Sequence, residues 1–184
     1  MNIVLSWDLF IVVFFAIIIA YSFIVGRNQT LKIIIGTYIA TLTADGVANL
    51  VDKYLGGDAP ILKLLAGPNG DEVLISMKIL LFIVVIVIIA VRGGFEVSIL
   101  SERNLPIRVL MTFLFGVLNA GLIVSTLLLY VSGLSLIGAN ELVTASTLGS
   151  DSLLVQLMID NYSLWFSLPA IALVVVSFVE GDTE

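Results

Sequence analysis

Long apolar runs separated by short polar stretches divide this chain, and their lengths decide what they can do. A membrane span needs about 20 mostly apolar residues, within a range of roughly 17–25. Residues 9–25 form the first such run, free of charge, with Trp7 and Asp8 before it and Gly26, Arg27 and Asn28 closing it. No basic residue precedes it and no small-residue cleavage site follows, so a retained helix is expected and not a signal peptide. Residues 33–51 form the second, and the stretch from Arg27 to Lys32 is expected to turn the two into an antiparallel hairpin. The uninterrupted run 79–91 is too short to cross a bilayer core. Extending it back to 73 reaches spanning length and places Lys78 inside the membrane. The fourth span is 109–131, with Pro106 suited to a helix start. The fifth, 164–179, sits at the short end and contains Pro169, with Tyr162 and Trp165 where an aromatic belt would put them. It is read as a span, with a tilted or half-inserted segment as the alternative.

The second run carries two stripes at helical spacing. Gly36, Ala40, Ala44 and Ala48 form a small-residue edge, and Thr37, Thr41, Asp45 and Asn49 a polar one. Residues four apart stack on one helix face. Small residues let a neighbouring helix approach closely, and polar ones need partners that hydrocarbon does not supply. The segment is therefore read as the packing hub of a bundle. Gly116, Ala120 and Gly121 repeat the small-residue spacing in the fourth span, with Ser125 four beyond Gly121, and Ala16 and Ala20 in the first. Packing within one chain outweighs self-association as the reading of these patterns, because they are common in helical membrane bundles.

Composition narrows the class. Hydrophobic residues make up 60% of the 184 and charged ones 12%, and the mean hydropathy is +1.18. A soluble domain of this size cannot bury so much apolar surface. Cysteine and histidine are both absent. That removes disulfides, soft or imidazole metal ligands, the usual haem ligands, and Cys–His or Ser–His nucleophile systems. An aspartyl protease needs two carboxylates close together, and Asp45 alone is placed deep in the bundle. The glycine pairs Gly56-Gly57 and Gly93-Gly94 have no phosphate-loop context. No enzyme and no cofactor are expected. The net charge of −6 disfavours nucleic acid, and no run of Lys and Arg reads as a lipid-phosphate patch.

Basic residues set the orientation. Arg27 and Lys32 follow the first span, and Arg92, Arg103 and Arg108 fall between the third and fourth, whereas the loop after the second span has Lys53 and Lys63 and 132–161 has none. The positive-inside tendency puts both basic loops in the cytoplasm and the N-terminus outside. Five spans would leave the acidic end, Glu180 to Glu184, inside; four would leave it outside. Two outer stretches are more than loops. Residues 60–66 fit a short interfacial or re-entrant helix, and 151–160 suit a helix lying on the membrane with Leu153, Leu154, Leu157 and Met158 downward. Arg27-Asn28 with Lys32 is echoed by Arg103-Asn104 with Arg108, a match so short that chance outweighs a parallel repeat as its reading.

Asp45 and Lys78 lie at matching depths on adjacent antiparallel spans, each costing about 2.5–3.5 kcal/mol if isolated near the centre. They are expected to pair, or to share a polar pocket with Thr41 and Asn49. Such a pair can be a proton or cation coupling site, or a structural ion pair with Lys78 snorkelling outward. The structural reading weighs more, since one acid and one base near one end do not make a pathway.

The fourth run adds a resemblance. Arg108-Val109-Leu110, Phe115-Gly116, Leu118 and Gly121-Leu122-Ile123-Val124, together with Trp7-Asp8 before the first helix, resemble the colicin V production protein family over residues 5–131. A further apolar segment after Val131 departs from that pattern. The resemblance implies a bacterial inner-membrane protein linked to peptide-toxin secretion and envelope homeostasis, and it brings no catalytic residues. The expected molecule is thus one all-α integral membrane domain, residues 1–184, a polytopic bundle of four to five spans in antiparallel hairpins. Its partners would be the lipid bilayer and a second copy or other membrane proteins. The rival functions are a small transporter or channel subunit using Asp45 and Lys78, or a subunit of a larger assembly docking through 132–160.

Overall fold

The computed structural model of the protein describes residues 7–55, 70–93, 105–132 and 152–181. Among these residues every regular element is an α-helix: α1 (Trp7–Val25), α2 (Arg27–Leu55), α3 (Gly70–Arg92), α4 (Leu105–Val131), α5 (Leu153–Asp160) and α6 (Tyr162–Gly181). Four of them, α1 to α4, are long and apolar enough to cross a membrane. The pair α5 and α6, bent by 61° at its break, passes the same test only when taken together, as a broken span or a re-entrant segment. The expected short helix at 60–66 lies outside the described residues, as does most of 132–161.

Between α1 and α2 the expected turn over Arg27–Lys32 is instead the first two turns of α2. Gly26 alone reverses the chain, with φ of 83°, a left-handed conformation open to glycine. Its N–H donates to the Ser22 carbonyl and its own carbonyl accepts from the Thr30 N–H, so one residue ends α1 and opens α2. The polar residues that looked like a turn then serve the end of α3. Gln29 Nε2 donates to the Ala90 carbonyl at 3.0 Å, and the Lys32 stem crosses Gly93, where a methyl would sit 2.8 Å from its Cε. A cation beside the last carbonyls of a helix is favourable.

The hub is α4, shared with α2. Of its most apolar 18 residues, 72% are buried, against 50% for α2, 11% for α1 and 6% for α3. It touches α1, α2, α3, α5 and α6. Small residues point to several sides of it and admit a different neighbour at each. A methyl on Gly116 would stand 3.2 Å from Ser22 Cβ of α1, and one on Gly121 would stand 2.1 Å from Cε3 of Trp165 on α6. Trp165 is therefore wedged on the α4 backbone and edge-on to Phe15, with centroids 6.0 Å apart. The small edge of α2 turns to α3 and does not meet that of α4: Ile89 sits on Gly36, with Cγ2 2.8 Å from a built Cβ. Ala40 and Ala44 pack with Phe82 and Tyr130, and Ala48 is likewise buried. Ala120 is buried, whereas Ala16 and Ala20 of α1 face outward.

The short helix α5 divides the expected apolar face between the bundle and the outside. Val155 and Met158 enter a cluster with Ile11, Val124 and Leu128, while Leu153 and Leu157 are exposed. Its N-terminus is held by Asp8: the Asp8 carboxylate accepts from Ser152 Oγ at 2.6 Å and from the Leu154 N–H at 3.1 Å. Ser152 Oγ in turn accepts from the Val155 N–H at 3.2 Å, an N-cap reinforced by an acid. On α6, Pro169 withdraws one N–H from the helix ladder. One turn earlier, Tyr38 Oη of α2 donates to the Phe166 carbonyl and ties α6 to the bundle.

The two glycine environments give opposite expectations. Gly121→Ala should cost about 1–3 kcal/mol, since its methyl must displace the indole. Gly46→Ala, whose built Cβ meets nothing within 4 Å, should gain about 0.5–1 kcal/mol from reduced chain entropy in a helix interior. Reversible unfolding in mixed micelles reads both signs.

Candidate functional site

Helices α2 and α3 make the most extensive contact among the described elements, and they run antiparallel. Asp45 sits about 15 Å before the end of α2 and Lys78 about 12 Å after the start of α3, at 1.5 Å rise per residue. Equal depth and close packing bring them together: Lys78 Nζ lies 3.9 Å from Asp45 Oδ1. That is an ion pair too long for a direct hydrogen bond. Its two members differ in access, with the Asp45 side chain 0% exposed and that of Lys78 12%. Lys78 keeps a route outward along its stem; Asp45 has none.

A third helix completes the enclosure. Tyr130 of α4, fully buried, donates from Oη to the Thr41 carbonyl at 3.2 Å and lies beside the Asp45 carboxylate. Its ring stands edge-on to Phe82 of α3, with centroids 5.8 Å apart. The carboxylate is thus bounded by the α2 backbone, an ammonium from α3 and a phenol from α4. Sequence reasoning missed Tyr130, because a tyrosine near the end of an apolar run resembles a belt residue. It missed Asp8 as well, whose partner Ser152 is remote along the chain.

The rest of the polar edge behaves differently from a ligand-binding row. Thr37 Oγ1 donates to the Ile33 carbonyl and Thr41 Oγ1 to the Thr37 carbonyl, both at 2.8 Å. These hydroxyls satisfy themselves on their own helix and need no partner across an interface. Asn49 is exposed and lies outside the buried pocket that its place in the stripe suggested. On α4, buried Asn119 Oδ1 and Ser125 Oγ have no protein hydrogen-bond partner. Ser125 borders a cavity of about 10 Å³ with Tyr162 and Phe166, room for roughly one water.

Chemically, the centre offers one carboxylate, one ammonium and one phenol, each on a different helix. No group of three acidic side chains suited to a metal ion occurs among the described residues. Comparison with family models, with curated proteins and with solved structures found no match to this chain.

The unequal access of the pair predicts unequal mutational costs. Lys78→Met leaves Asp45 enclosed and should cost about 3 kcal/mol, the order expected for an uncompensated buried charge. Asp45→Asn lets Lys78 turn outward and should cost about 1 kcal/mol. Unfolding in mixed micelles compares the two, and equal costs would contradict the enclosure.

Proposed function

We propose that this protein is a non-enzymatic, multi-pass accessory or scaffold protein of the inner (cytoplasmic) membrane, acting in export or envelope maintenance. The resemblance to colicin V production proteins over residues 5–131 motivates the biological role. The observation that carries the scaffold reading is the state of the interior polar groups. Thr30, Thr37, Thr41, Thr112 and Thr126 each donate to a carbonyl of the preceding turn, and Asp45 is closed in by Lys78 and Tyr130. A transport path needs polar groups that can exchange partners along the membrane normal. Here the threonines are committed to their own helices and Asp45 to one clasp near one end, while Asn119 Oδ1 and Ser125 Oγ of α4 are the buried groups named above that have no protein partner. The clasp then serves to fix α2, α3 and α4 in one register.

The outward surface fits the same reading. Ile17, Ile24, Val84, Ile88, Ile171 and Phe178 are exposed large apolar residues on α1, α3 and α6, which suits lipid contact. The N-terminus is placed outside, from the basic residues that gather at the Gly26 end. An alkaline phosphatase fused after residue 30 should be inactive.

Ion flux in proteoliposomes tests the function directly. The purified chain should carry no proton, sodium or potassium flux that depends on Asp45. A flux abolished by Asp45→Asn, at unchanged protein content, would replace the scaffold with a coupled transporter.

A further inference from the structure

At the Gly26 end of the bundle, a cavity of about 490 Å³ opens between the end of α1, the start of α2 and the start of α4. Its walls have two characters. Phe23, Val25 and Val109 give it an apolar side, and Arg27, Asn28 and Arg108 a polar, cationic one. The two arginines are far apart in sequence, so no basic run announces them; the crossing of α1 and α4 brings them to one opening. Thr112 at its margin is turned inward, donating to the Arg108 carbonyl at 2.9 Å.

The start of α2 adds to the positive character. Its cap is Gly26, which has no side chain to accept from first-turn N–H groups, and a helix N-terminus favours an anion. Guanidinium groups match the geometry of phosphate oxygens bidentately. The volume lies within the roughly 300–1,000 Å³ of small-molecule sites, more than a bare phosphate needs. An apolar wall beside a cationic one suits a group that is charged at one end and hydrocarbon at the other.

We propose that this cavity binds a phosphate-bearing anion at the membrane surface, with Arg27 and Arg108 on the phosphate and Phe23, Val25 and Val109 against its apolar portion. An anionic phospholipid headgroup fits both walls; a soluble phosphate would use the cationic one alone. The site rests on the bundle lying in a membrane, and alkaline extraction of native membranes tests that premise separately.

Native mass spectrometry of the purified, delipidated full chain tests the site, with dioleoyl phosphatidylglycerol and dioleoyl phosphatidylcholine added in equal amounts. Phosphatidylglycerol should be retained in preference. The double variant Arg27→Gln/Arg108→Gln should lose about tenfold of that retention, the order of one charge-assisted hydrogen bond, with phosphatidylcholine unchanged. Arg27→Lys, which keeps the charge and the fold, should fall in between. Arg92→Gln, exposed at the end of α3 and not among the residues lining the cavity, should change nothing. Arginine-dependent binding of inorganic phosphate, with no lipid preference, would uphold the anion site and assign it to a soluble ligand. Equal retention of both lipids without phosphate binding, or an equal effect of Arg92→Gln, would overturn it.

Discussion

How closely other parts of the chain can reach the backbone of α4 governs this bundle. Between helices in hydrocarbon there is no hydrophobic gain from leaving lipid, so association rests on dispersion contact and on satisfied polar groups. Dispersion falls steeply with a gap of even half an ångström. Gly116 lets α1 approach through Ser22, and Gly121 lets the Trp165 ring lie on the helix itself. A side chain at Gly121 would have to displace the indole, whereas one at Gly116 asks α1 to give by only a few tenths of an ångström. From that central helix, Tyr130 reaches across to α2 and the Asp45 carboxylate, so close packing and polar closure are two results of one geometry.

Much of this architecture was legible in the sequence. The C-terminal ends of α1, α3 and α4 follow from where the apolar runs stop, whereas all three helices begin earlier than those runs, at Trp7, Gly70 and Leu105. The depths of Asp45 and Lys78 follow from helical rise alone. What misled was local appearance. Arg27 to Lys32 reads as a loop because it is polar and basic, yet a single left-handed glycine suffices to reverse the chain, and the polar side chains then bind the end of α3. The hub was assigned to α2 because its small and polar residues form tidy stripes. In α4 the small residues Gly116, Ala120, Gly121 and Ser125 are spread around the helix, and that spread is the signal of a helix with neighbours on several sides. A stripe marks one neighbour.

Other features were beyond a reading of one segment at a time. Asp8 stands before the first span like any interfacial acid, and its task as the cap of α5 depends on Ser152 arriving beside it. The packing of Trp165 on the α4 backbone depends on Gly121, more than forty residues away. Arg27 and Arg108 are each an ordinary helix-end cation, and only the fold makes them two sides of one cavity. The threonines taught the reverse lesson. Their spacing suggested a shared polar surface, whereas each hydroxyl turns back onto its own helix, and cross-helix polar contact falls to Asp45, Lys78 and Tyr130, with Tyr38 reaching α6 separately.

The chain has no native cysteine, which makes the close approach of α1 to α4 directly measurable. A built Cβ at Gly116 stands 3.2 Å from Ser22 Cβ, near the separation of about 3.5–4.5 Å that a disulfide spans. Ser22→Cys combined with Gly116→Cys should therefore form an intramolecular disulfide under mild oxidation in native membranes, and the product should remain a monomer. A folded double variant that stays reduced, or that links only to a second copy, would contradict a bundle packed around α4 within one chain.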